Sequence, residues 1–123
     1  MNFRITLSAL LLGSSIACGS SSPPAPSPTP SPSGSSIAAS IVVGASTMTT
    51  TAYAPNPITV SVGGTVTWTN NDSTTHTSTA NAGAWNSGSI APGGQFSTTF
   101  PSAGTFPYHC SIHPGMIGTV SVQ

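Results

Sequence analysis

Ionic side chains are nearly missing from this sequence. Of 123 residues, one is Lys or Arg and one is Asp or Glu, so 2% are charged, against about 25% in an ordinary soluble domain. A nucleic-acid partner is thereby excluded, because binding phosphate requires a basic patch that displaces counterions. The one cation is Arg4, which leaves Asp72 as the only ionic side chain of the remainder. Long-range charge steering therefore cannot guide docking to a partner. Helical periodicity is absent, and the one apolar run near the N-terminus, residues 5–12, is too short to span a bilayer. Cysteine is scarce as well, limited to Cys18 and Cys110.

The N-terminus has the layout of a secretory signal over residues 1–17: a short positive start, an apolar stretch, then Gly13-Ser14-Ser15-Ile16-Ala17 before Cys18. Ile16-Ala17-Cys18 is similar to a bacterial lipobox, in which the Cys becomes the lipidated first residue of the mature chain. Ser15 stands where such motifs usually carry Leu, and a plain signal peptide with an incidental Cys18 is the alternative. Residues 18–36 are dominated by Ser, Pro, Gly, Thr and Ala. This composition buries no apolar surface, and it is expected to act as a disordered, semi-rigid tether that holds a domain off a membrane. With Cys18 acylated, Cys110 is left single in an oxidising compartment, where it must pair between molecules, react or bind metal. A Cys18–Cys110 disulfide is the plainer reading, but it would tie the leader into what reads as a functional loop.

Residues 37–123 carry β-branched residues in alternation, with Gly, Pro and Asn at the breaks. Ile58, Val60 and Val62 share one face, Gly63-Gly64 turns the chain, and Val66 and Trp68 resume the pattern, which predicts a hairpin with an apolar inner face. Phe96, Thr98 and Phe100 alternate before a turn at Ala103-Gly104, after which Phe106, Tyr108 and Cys110 form a second inward row. Seven or eight short strands in one small domain point to an all-β sandwich. Such a domain buries only about 60% of its unfolded surface, so a bound metal would help to hold it.

Cys110-Ser-Ile-His113-Pro-Gly-Met116 places a thiolate, an imidazole and a thioether on one loop at the end of a strand. His76, in the turn after Val66-Thr-Trp68, is the candidate fourth ligand. Two imidazoles and a thiolate with a weak axial thioether select copper for electron transfer. Zinc is the competing metal, although structural zinc sites usually use more than one thiolate and have no need of Met. Met116 taken alone is as well explained by a place in the core. His109 precedes Cys110 on a strand of alternating faces, so it is expected to point away from the metal.

Thr65-Val-Thr-Trp-Thr-Asn-Asn-Asp-Ser-Thr-Thr-His76, Gly88-Ser-Ile-Ala-Pro-Gly-Gly94 and Gly104-Thr-Phe-Pro-Tyr-His-Cys-Ser-Ile-His-Pro-Gly-Met-Ile-Gly-Thr-Val120 together resemble the plastocyanin and amicyanin branch of the cupredoxins, over about residues 40 to 123. The short spacing from Cys110 through His113 to Met116 is similar to that of amicyanin. The resemblance implies a Greek-key β-sandwich with one copper ion at one end, cycling between Cu(I) and Cu(II) with no bound substrate. Two departures bear on the residues around the metal. Thr77 stands where the family often has an Asn that braces the copper loop, and its hydroxyl is expected to brace less well. Ile112 stands where this branch commonly has Pro, and its N–H is an expected donor to the Cys110 sulfur, which would raise the potential.

The expected function is that of a monomeric blue-copper electron carrier at the cell envelope. Its electron-transfer edge is expected at His113, with Pro114 and Gly115 beside it, docking redox partner proteins through an uncharged apolar patch. A periplasmic copper chaperone or sensor is the alternative, and a metal-free adhesion sandwich is a weaker one. An enzyme is disfavoured, because the ligand set leaves no open coordination position and no general acid or base stands beside it.

Overall fold

The computed structural model describes residues 34–123, with the isolated positions Gly19 and Pro24. The expected signal, the candidate lipidation site Cys18 and most of the tether lie outside the described residues. Among the described residues, eight strands follow in order: β1 (Ser36–Ile41), β2 (Tyr53–Ala54), β3 (Ile58–Val60), β4 (Thr65–Asn70), β5 (Thr79–Ala80), β6 (Gln95–Thr99), β7 (Gly104–His109) and β8 (Ile117–Val122). They form two four-stranded sheets, ordered β2-β1-β4-β6 and β3-β8-β7-β5. The all-β sandwich expected from the alternation is the fold observed. One short 3-10 turn, Ala45–Thr47, interrupts the path between β1 and β2.

The expected hairpin across Gly63-Gly64 does not form. β3 pairs in parallel with β8, whereas β4 pairs in parallel with β1 and antiparallel with β6. The two glycines therefore carry the chain from one sheet to the other. Both strands still turn their apolar residues inward, because each lines the core from its own sheet. Val62 leaves this pattern: it lies past the end of β3 and is 47% exposed.

The core is built around Trp68, which is fully buried. Its ring meets Trp85 at 5.7 Å, Phe96 at 6.0 Å and Tyr108 at 5.5 Å between centroids. Its indole N–H donates to the Tyr108 hydroxyl at 3.2 Å, so the polar ends of both rings are satisfied inside the sandwich. Tyr53 stacks obliquely on Tyr108 at 4.7 Å and donates its hydroxyl proton to the Thr77 carbonyl at 2.6 Å. The aromatic core is thus hydrogen-bonded directly to the residue that follows His76.

Pairing also fixes the polarity of the domain. Ser36 lies beside Thr65 and Ile41 beside Asn70. The leader therefore joins at the end of β1 remote from the loop that follows Asn70, roughly 20 Å away at the usual rise per residue.

Candidate metal centre

Two loops at one end of the sandwich supply the candidate ligands. The first leaves β4 at Asn70, whose fully buried side chain organises it. Its amide donates to the carbonyls of Thr74 at 2.8 Å and Ile90 at 2.9 Å, and its Oδ1 accepts the N–H of Asp72 at 2.9 Å. His76 is then clamped by a reciprocal backbone pair with Ile90, at 3.1 and 2.8 Å. The second loop, after β7, is closed at its base: Cys110 N–H donates to the Met116 carbonyl at 3.1 Å, and Met116 N–H to the His113 carbonyl at 2.9 Å.

These constraints bring His76, Cys110 and His113 together, with one ligand atom of each lying within 4.8 Å of the others. The Cys110 sulfur stands 3.8 Å from His76 Nδ1 and 3.9 Å from His113 Nδ1, and the two Nδ1 atoms are 3.2 Å apart. Two imidazole nitrogens and a sulfur gathered this closely, with His76 and Cys110 fully buried, suit a soft or borderline cation. The single thiolate and the two imidazoles fit copper better than structural zinc. Met116 is also fully buried, at the foot of the same loop.

The other residues singled out in the sequence make the following contacts. Thr77 N–H donates to the Cys110 sulfur at 3.3 Å. Its hydroxyl accepts the Ser111 N–H at 2.8 Å and shares a hydrogen bond with the Thr79 hydroxyl at 3.0 Å. Thr77 therefore braces the loop from two atoms, more fully than its short side chain led us to expect. Among the described residues, the backbone donor on the Cys110 sulfur is Thr77, where the sequence had pointed to Ile112. The Ile112 side chain is instead 48% exposed, beside a half-buried His113 and exposed Pro114 and Gly115. His109 points out of the cluster, its Nδ1 2.6 Å from Asn81 Oδ1.

Sequence reasoning missed Asp72. Its Oδ2 lies 2.8 Å from His76 Nε2, with the carboxylate side chain only 5% exposed. Its Oδ1 accepts the N–H groups of Gly44 at 3.0 Å and Ser73 at 2.8 Å. The hydrogen bond from His76, reinforced by these backbone donors, holds the carboxyl at about 2, below the usual carboxylate range. A signal was present: the one acidic residue of the chain stands four positions before a candidate ligand.

The family of copper binding proteins that includes plastocyanin and azurin matches residues 39–123. No curated protein sequence matches significantly. Among solved structures, a novel purple cupredoxin from Nitrosopumilus maritimus is 33% identical over 71% of this chain and 99% of its own, with a TM-score of 0.65. A methionine-to-alanine variant of amicyanin in the Cu(I) form is 31% identical over 72% of this chain and 82% of its own, with a TM-score of 0.61. An oxidised proline-to-alanine amicyanin variant is 31% identical over 76% and 95%, with a TM-score of 0.62.

Proposed function

We propose that this chain, which belongs to the copper-binding plastocyanin/azurin family, is an electron carrier that holds one copper ion through His76, Cys110, His113 and Met116. The observation that carries the reading is the convergence of one thiol sulfur and two imidazole nitrogens within 4.8 Å, on backbone already fixed by hydrogen bonds. Copper bound there supplies a one-electron couple between Cu(I) and Cu(II). The protein's part is to hold the ligands so that neither oxidation state requires rearrangement. The burial of His76, Cys110 and Met116 keeps water from the metal.

Electrons enter and leave, in this reading, through the half-buried His113 ring. The exposed Ile112, Pro114 and Gly115 form an uncharged apolar rim for a redox partner. The protein acts as a carrier and not as an enzyme, because four protein ligands leave no position for a substrate. Export and acylation of Cys18 would place it at the cell envelope. The leader joins β1 at the end remote from His113, so a membrane-tethered domain would present its docking edge away from the anchoring surface.

The test is voltammetry of the copper-loaded chain alongside metal retention against a chelator. The proposal expects a reversible one-electron wave with copper retained over many cycles. Copper that passes to the chelator faster than the protein exchanges electrons would mark a copper-delivering chaperone instead.

A further inference from the structure

The Asp72 carboxylate is buried, and it is the only acidic side chain of the chain. Three donors converge on it. Gly44 and Ser73 give their N–H groups to Oδ1, and His76 Nε2 stands 2.8 Å from Oδ2. A carboxylate is acceptor-only, so the proton of this contact belongs to His76 Nε2. The neutral imidazole then has its lone pair on Nδ1, the atom that faces Cys110 and His113. The loop is built to keep this arrangement: Asn70 Oδ1 takes the Asp72 N–H, and Ile90 pins the His76 backbone on both sides.

Resting on the copper reading above, we propose that Asp72 is a positioning residue of the metal centre, fixing His76 as its Nε2–H tautomer and supplying the buried negative charge that biases the couple toward Cu(II). Reduction brings one electron from a donor protein, and oxidation passes it to an acceptor, so the centre's charge changes by one while Asp72 stays an anion. A buried anion favours the more positive state, and no other fixed side-chain charge in the domain opposes it.

Asn at this position cannot do the same work. An amide has one acceptor atom where the site presents donors to both oxygens. If its oxygen faces Gly44 and Ser73, its NH₂ faces His76 Nε2 and drives the imidazole proton onto Nδ1, where the metal would bind.

The experiment has two readouts on the full chain. Nitrogen-15 NMR of the copper-free wild type is expected to show the His76 proton on Nε2. The copper-loaded Asp72→Asn variant is expected to shift the reduction equilibrium at least tenfold toward Cu(I), about 59 mV for one electron, and to yield copper to a chelator at lower concentration. A proton on Nδ1 in the wild type, or a variant potential within twofold of wild type in the equilibrium constant, would overturn the inference. Should the variant fail to fold, the tautomer measured on the unaltered chain still decides. A wild-type chain that takes up no copper sinks the electron-carrier reading, while the tautomer measurement independently reports whether Asp72 orients His76.

Discussion

The backbone N–H of Thr77 donates to the Cys110 sulfur at 3.3 Å across 33 residues of sequence, while the same residue's hydroxyl receives the Ser111 N–H. One residue thus ties the His76 loop to the Cys110 loop from two of its atoms. Replacing Thr77 by Val keeps the N–H and removes the hydroxyl, so the Ser111 N–H loses its partner. The expected cost is about 1 kcal/mol of stability, with faster loss of copper to a chelator. Denaturant unfolding and a competition assay check both, and an unchanged variant would show that the brace is redundant.

Gly118 stands opposite Tyr108 in the β7–β8 ladder, and a methyl group at its position would run into the Tyr108 ring and hydroxyl. Tyr108 has nowhere to go, since it is fully buried and bonded to Trp68. Gly118→Ala is therefore expected to destabilise the domain by about 2 kcal/mol through overpacking. A melting temperature equal to wild type would contradict this.

The one hairpin that the alternation placed across Gly63-Gly64 shows what the sequence does and does not reveal. Ile58, Val60, Val66 and Trp68 were correctly read as inward, because burial imposes a period of two whichever strand lies alongside. That same period carries no information about the neighbour, and the Gly63-Gly64 link proved to cross between sheets. The grouping of His76, Cys110 and His113 as a candidate metal cluster was legible because two of the three share one short loop and chemistry restricts what such a set can hold. The position of Asp72 four residues before His76 was a signal, but the contact itself depends on a turn organised by Asn70 side-chain hydrogen bonds, which spacing alone does not reveal. The Ile112 donor failed for a related reason: the presence of an N–H in the sequence says nothing about where it points.

Tyr53 and Tyr108 are the only tyrosines, and burial raises the pKa of both above the ordinary 10.0. In each case the folded state holds its proton more tightly than the unfolded state. Their contribution to stability is complete below pH about 10 and falls as pH rises past it, because only the unfolded chain releases the protons. Phenolate absorbance is therefore expected to appear together with cooperative unfolding, well into the alkaline range. A gradual titration near pH 10 with the fold intact would contradict the buried positions.

Salt is expected to matter little to electron exchange. Asp72 is buried against His76 and Arg4 lies outside the described domain, so the exposed residues around His113 carry no fixed side-chain charge. The second-order rate with a redox partner at neutral pH should change by less than about twofold between low and high ionic strength. A steep fall with salt in stopped-flow kinetics would require a charged docking surface that these residues do not provide.

The most direct measurement is the visible absorption spectrum of the chain titrated with Cu(II), then reduced with ascorbate, beside a Cys110→Ser variant. An intense thiolate-to-copper band that saturates at one copper per chain, bleaches on reduction and is absent from the variant is the expected result. A folded wild-type protein that stays pale with copper present would contradict the assignment of His76, Cys110 and His113 as an electron-transfer centre.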